Sequence, residues 1–277
     1  MNPIGVMQGR LLPKYKGKYQ AHPKDTWQDE FFLAKELGLD LIEFIFDKDD
    51  FDKNPLFSKN GIKLIKKIIN ESNVGVKTIC ADFFMNQPIH SVDKKKRQEA
   101  KGILENLIKF SSELNVTDII IPCVDNSSLK NKKDIYIFVE AISEFKTLLK
   151  NLKINLSLET DLAPNEFVSL LNKFNSENIT INYDIGNSAS NGFNYLEELN
   201  SYGKRITDVH IKDRILGGAS VYLGEGNANF EGVFQSLKNL SYKGPLIMQA
   251  YRDEDGLEIF KKQFLWIKKK LDIFYEN

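Results

Sequence analysis

Short apolar runs alternate along this chain with longer stretches whose apolar residues recur every three or four positions. The runs Ile4–Gln8, Asp40–Phe46, Val76–Ala81, Asp118–Cys123, Ile154–Glu159, Ile179–Asp184, Ile206–Ile211 and Pro245–Ala250 predict eight strands, and the stretches between them predict helices. After the first strand, Trp27, Phe31 and Ala34 share one helix face, Asp25 and Gln28 form a capping box, and Gly38 closes the helix. Ile135, Phe138, Val139 and Ile142 repeat that stripe, as do Leu257, Phe260, Phe264, Ile267 and Leu271 near the C-terminus. Strands that alternate with helices pair in parallel, because each return must cross over. Eight such units close naturally into a (β/α)8 TIM barrel. An open doubly wound sheet is the alternative architecture, but no glycine-rich fingerprint follows the first strand. No linker rich in Pro, Gly or Ser divides the chain, so residues 1–277 read as one barrel domain.

The later strands carry a second pattern. Asn155, Ser157 and Glu159 alternate with Ile154, Leu156 and Leu158, and Thr180, Asn182 and Asp184 alternate with Ile179, Ile181 and Tyr183. In the seventh strand Asp208 and His210 alternate with Ile206, Val209 and Ile211, less cleanly at the start. Successive side chains on a strand point to opposite faces. Helices must cover the apolar face, so the polar set lines the barrel interior. Polar groups there need partners or a bound group.

Composition narrows the function classes. Hydrophobic residues make up 42% of the 277, enough for a sizeable core. The 38 basic and 38 acidic residues cancel, which argues against a duplex nucleic-acid partner. Basic runs such as Lys94–Arg97 and Lys268–Lys270 fall in predicted helices and read as solvated faces. Cys80 and Cys123 lie in apolar runs and read as buried, reduced thiols. There is no signal-peptide pattern at the N-terminus and no apolar stretch approaches the ~20 residues of a membrane span. The expectation is a cytoplasmic protein without a membrane partner. Assembly state stays open, a homo-oligomer included.

Glu159, Asp184, His210 and Gln249 each fall at or near the C-terminal end of one of four consecutive strands. That is the end where barrel active sites are built. Singly, either carboxylate could cap a helix and the histidine could be a core residue. Together they form a candidate metal-ligand set whose oxygens and imidazole suit one divalent ion, Mn, Co, Zn or Mg. Glu43 lies near the end of the second strand and is a candidate for a sugar hydroxyl or a supplementary base, with a cap or salt bridge an equal alternative. Asp82, after the third strand, is placed to reach the same pocket, whereas His90 reads as a surface loop residue. Lys212, Arg214 and Arg252 lie just beyond the ligand strands and favour an anionic substrate. The Gly224-Glu225-Gly226 turn could offer backbone N–H groups to a phosphate, although a structural turn is its simplest meaning. Gln8 and Arg10 are similarly placed after the first strand, without support from spacing.

The segments SLET at 157–160, YDIGNSAS at 183–190, HIKDR at 210–214, LGEGNANFEGVFQSL at 223–237 and YKGPLIMQAYR at 242–252 resemble the xylose-isomerase-like barrel superfamily. Within it the pattern is most similar to sugar-phosphate isomerases and epimerases acting on pentulose or hexulose phosphates. The resemblance implies that Glu159, Asp184 and His210 are metal ligands and that Asn187 contacts substrate. It also implies a glutamate as fourth ligand, where this chain has Gln249. In the family's epimerases the first and fourth ligand carboxylates serve as acid/base groups on opposite substrate faces, so an amide at 249 speaks for one base.

The expected chemistry is isomerisation or epimerisation of a small sugar or sugar phosphate through an enediolate. A divalent ion would stabilise the developing charge and Glu159 would carry the proton. A single base moves a proton between neighbouring carbons rather than inverting a centre. A metal-dependent dehydratase of the same fold and a non-catalytic barrel that binds a sugar or a partner are the alternatives. A DNA-repair nuclease of this fold would need many histidines, and the chain has only His22, His90 and His210.

Overall fold

The computed structural model describes residues 2–275. Its strands are β1 (Ile4–Met7), β2 (Leu41–Ile45), β3 (Thr78–Cys80), β4 (Asp118–Cys123), β5 (Asn155–Thr160), β6 (Ile179–Asp184), β7 (Ile206–Ile211), β8 (Asp213–Arg214), β9 (Ser220–Val221) and β10 (Leu246–Met248). β1 to β7 and β10 form a closed parallel barrel in chain order, with β10 sealing the gap between β7 and β1. This is the eight-stranded barrel that the strand–helix alternation predicts. β8 and β9 form a small antiparallel ribbon beyond β7, which the sequence did not suggest.

The helix stripes pack on the outward strand faces as expected. Trp27, Phe31 and Ala34 are buried on the helix Trp27–Leu37, and Gly38 closes it in the left-handed region at φ 75°. The Asp25–Gln28 capping box does not form: Thr26 occupies the cap position, and no side chain caps the helix. Among the described residues no helix is long and apolar enough to cross a membrane.

Inside, the barrel is divided. Met7, Ile45, Cys80 and Ile247 form an apolar plug on the β1, β2, β3 and β10 side. The β5–β7 side is polar, and its deepest layer is a hydroxyl cluster. Ser157 Oγ lies 2.8 Å from Thr180 Oγ1 and 2.9 Å from Thr207 Oγ1, and also bonds Asp118 Oδ1 at 3.0 Å. Thr207 belongs to this cluster because the β6–β7 register shifts: Ile181 pairs with Ile206, but Asn182 pairs with Asp208. That extra residue is a β-bulge. It explains the imperfect alternation at the start of β7 and sends both Thr207 and Asp208 inward.

Within the ribbon, Asp213 is fully buried and accepts the N–H groups of Gly224 (2.8 Å), Gly226 (2.9 Å) and Ala228 (3.1 Å). The Gly224-Glu225-Gly226 turn is therefore structural, with its N–H donors turned onto a carboxylate rather than toward an anion. A Cβ at Gly226 would sit 2.2 Å from Asp213 Oδ1, so only glycine lets the turn wrap the carboxylate.

Candidate active site

The barrel brings Glu159, Asp184 and His210 together at its C-terminal mouth. Asp184 pairs directly with His210 across the β6–β7 ladder. His210 pairs with Ile247, so Gln249 stands one inward step nearer the mouth on the next strand. Glu159, Asp184 and His210 each offer a ligand atom, all within 4.8 Å of one another. The Nδ1 side of His210 faces Glu159 Oε2 at 3.7 Å and Asp184 Oδ2 at 3.9 Å.

Two amides hold Glu159: Asn182 Nδ2 donates to Oε2 at 2.8 Å, and Asn187 Nδ2 donates to Oε1 at 2.6 Å. Asp184 divides its oxygens. Oδ1 caps the short helix Ile185–Ser190 by accepting from Asn187 N at 2.7 Å, and Oδ2 faces His210 and Lys212. The capping and ligand readings of Asp184 are thus compatible, one on each oxygen.

Burial and the charge of Asp184 push the Glu159 carboxyl up to about 7. Burial alone would strip the proton from His210, but Glu43, bonded to Nε2, and then Glu159 and Asp208 hold the imidazolium up to about 10. Burial and Glu43 raise Asp208 well above the ordinary carboxyl range. A cluster of opposed and like charges enclosed this tightly is where a small cation would be held. The donor set fits a divalent ion, because Gln249 Oε1 is buried with no hydrogen-bond partner. Glu159, Asp184 and His210 Nδ1 supply the other donors.

Of the roles open to Glu43, the structure shows a charged pair with His210. Glu43 is fully buried beneath the histidine, with Oε1 at 2.8 Å from His210 Nε2, and Asp208 Oδ2 lies 3.6 Å from the same nitrogen. A carboxylate on the far nitrogen of a ligating histidine fixes the ring and its tautomer. Asp82 is at the mouth, with Gln20 Nε2 donating to Oδ2 at 2.7 Å and Cys80 Sγ at 3.2 Å from Oδ1. Burial pushes its carboxyl up.

Of the three cations, Lys212 Nζ faces Asp184 Oδ2 at 3.4 Å. Arg214 donates to Asn187 Oδ1 at 2.8 Å and clasps the Gly218 carbonyl with Nε and Nη2. Arg252 does not join them. Its guanidinium is buried under the β1 loop on the carbonyls of Gly9 (2.6 Å), Leu12 (2.7 Å) and Asp253 (3.1 Å). His90 is buried against the Phe138 ring rather than exposed. His22, bonded to Gln8, is pushed by burial down to about 3.

Asn182 lay on the polar face of β6 and was legible as a lining residue, though not as a partner of Glu159. Asp208 was legible as a lining residue in the same way, though not as a neighbour of His210 Nε2, and no spacing in its loop marks Gln20. The wider clefts, about 480 and 720 Å³, lie at the opposite end of the barrel, around strand starts such as Asn155 and Thr207.

The closed eight-stranded barrel is that of the xylose isomerase-like TIM barrel, and the profile of that family matches residues 31–270. The chain belongs to this family. It is 28% identical over 283 residues to a putative L-ribulose-5-phosphate 3-epimerase, SgbU, of Haemophilus influenzae, covering 94% of this chain and 98% of that protein. It is 24% identical over 257 residues to the L-ribulose-5-phosphate 3-epimerase UlaE of Escherichia coli O1:K1, covering 89% and 90%. Among solved structures, a xylose isomerase domain protein from Planctomyces limnophilus superposes with a TM-score of 0.78 at 15% identity, covering 100% of this chain and 99% of that one. The 3-keto-D-glucoside 4-epimerase YcjR from E. coli superposes with a TM-score of 0.76 at 16% identity, covering 97% and 100%.

Proposed function

We propose that this protein is a divalent-metal-dependent isomerase or epimerase of a small sugar or sugar phosphate. The ion would be held by Glu159, Asp184, His210 Nδ1 and Gln249 Oε1. The observation that carries this reading is the convergence of three ligand atoms within 4.8 Å, with the Gln249 amide oxygen also buried and unpartnered. When bound, a divalent ion supplies Lewis-acid stabilisation of enediolate charge.

Glu159 collects the proton from the carbon beside the carbonyl and returns it to the neighbour. A carboxylate beside the substrate can accept the proton and then return it. Asn182 and Asn187 hold its oxygens in place, so little reorientation is needed as the proton moves. Gln249 has no basic group, so of the first and fourth ligand positions only Glu159 offers a base. Lys212 and Arg214 border the mouth and favour an anionic substrate group. Glu43 holds the His210 ring rather than touching substrate.

The relatives are named epimerases, and inversion needs a second acid on the opposite face. Asp82 supports that second reading, since it is at the mouth and burial keeps its carboxyl ready to hold a proton. Incubation with Mn²⁺ and a panel of ketoses and ketose phosphates in deuterated water, followed by NMR, tests both readings. One-base isomerisation places label on the carbon that receives the proton, with some transfer without exchange. Two-base epimerisation places label at the inverted centre and is lost in Asp82→Asn. Absence of exchange with every member of the panel in the Mn²⁺-loaded protein would overturn the proposal.

A further inference from the structure

The loop between β1 and the first helix crosses the barrel mouth and sets Gln20 among three of its groups. Gln20 Oε1 accepts from Arg10 Nη2 at 3.0 Å and from Gln249 Nε2 at 3.1 Å, while Gln20 Nε2 donates to Asp82 Oδ2 at 2.7 Å. The two ends of an amide have nearly the same shape, so their order follows from their partners. A guanidinium can only donate, so the end of Gln20 that faces Arg10 is the oxygen. Arg10 is itself immobilised, buried with Nε on the Ala250 carbonyl (3.1 Å) and Nη1 on the Tyr19 carbonyl (3.0 Å). The same Gln20 oxygen meets Gln249, so the end of Gln249 that faces it is the N–H₂. The Gln249 oxygen is thereby turned away from Gln20, and it is the atom left buried without a partner.

We infer that Arg10 and Gln20 fix the Gln249 amide with its oxygen toward the metal centre, so that Gln20 is a positioning residue for the fourth ligand. This rests on the metal-dependent reading above. It also makes the mouth specific for an amide at position 249. A carboxylate there would set one oxygen against the Gln20 oxygen with no proton between them. Gln20 cannot turn to relieve that clash without losing both Arg10 and Asp82.

Mn²⁺ affinity of the full chain, measured by electron paramagnetic resonance of the free ion, tests this with a double-mutant cycle. Gln20→Met removes the acceptor, frees the Gln249 amide to turn its N–H₂ inward, and should weaken Mn²⁺ binding by roughly 10–100-fold. In the Gln249→Glu background both side-chain oxygens are equivalent and there is no amide to orient. There Gln20→Met should leave Mn²⁺ affinity unchanged or tighten it. A role limited to packing the loop would weaken binding equally in both backgrounds, and that result overturns the inference. If Gln20→Met does not fold, Gln20→Ser, too short to reach Gln249, replaces it in the same cycle. Wild-type protein without a Mn²⁺ site would overturn both the functional reading and this inference. Mn²⁺ binding that Gln249→Leu leaves unaltered would overturn this inference alone and leave the other three ligands standing.

Discussion

Glu159 shows how much of the candidate chemistry rests on individual atoms. Each of its oxygens accepts one amide N–H, and Asp184 divides its oxygens between a helix cap and the site. Glu159→Gln keeps the shape of the residue but removes the base. It should lower turnover at least ~100-fold while the folded barrel remains, as judged by circular dichroism and kinetics on the identified substrate. His210→Ala removes a ligand and also leaves Glu43 buried without its ring partner. It should therefore abolish Mn²⁺ retention and lower the melting temperature, whereas unchanged retention would remove His210 from the ligand set. Lys212 is the cation that faces the ligand ring, on Asp184. Lys212→Met should narrow the preference in kcat/KM for phosphorylated over neutral sugars by about tenfold, one charged hydrogen bond being worth ~1.5–3 kcal/mol. Equal preference before and after the change would show that the anion is bound elsewhere.

Two elements around the mouth are built from buried charges that face backbone. In the β1 loop, Glu30 accepts from Gly9 N at 2.7 Å and Leu11 N at 3.0 Å, and Arg252 donates to the carbonyls of Gly9 and Leu12. The loop is thus held through both its N–H and its C=O groups, which is what lets Gln20 stay in place over Gln249. Arg252 read from sequence as a contact for an anionic substrate, because an arginine at a strand end resembles one. The fold instead turns its planar fork onto carbonyls. Arg252→Lys keeps the charge but not the fork. It should destabilise the protein by roughly 1.5–3 kcal/mol in urea titrations, with little change in the ratio of rates on phosphorylated and neutral substrates. The 213–228 segment follows the same logic with Asp213. Its three accepted N–H groups account for the Gly-Glu-Gly turn as structural, the simplest of its sequence readings, rather than as a phosphate cradle.

At the scale of the whole barrel, stability and the site are coupled through protons. Glu159 titrates at about 7 in the folded chain against an ordinary 4.5. The unfolded chain releases that proton first, so stability is lost as pH rises between these values. His210, held at about 10 against 6.5, contributes stability that is present below 6.5 and lost as pH rises through 10. In metal-stripped protein, the urea midpoint of Glu159→Gln should therefore gain on that of the wild type between about pH 5 and about pH 7. A gap that narrows over that range would contradict a raised Glu159. The strand–helix order, the parallel pairing and the polar lining of β5–β7 were legible in the sequence. They follow from local periodicity, and a strand of alternating polarity has only one way to face a helical coat. The meeting of Glu159, Asp184 and His210 was legible for a similar reason: strand ends in a barrel share one rim, so register along each strand places the three together. What side chains do across strands was not legible. Glu43 lies 167 positions from its partner His210, Gln20 lies 229 from Gln249, and Gly9 lies 243 from Arg252. No spacing rule reaches that far, because hydrogen-bond partners are chosen by closure of the barrel and packing of its loops. The sequence by itself determined the architecture and the candidate ring of ligands. Only the tertiary structure decided which polar groups face the cavity and which face backbone, since that depends on where each buried donor finds its acceptor.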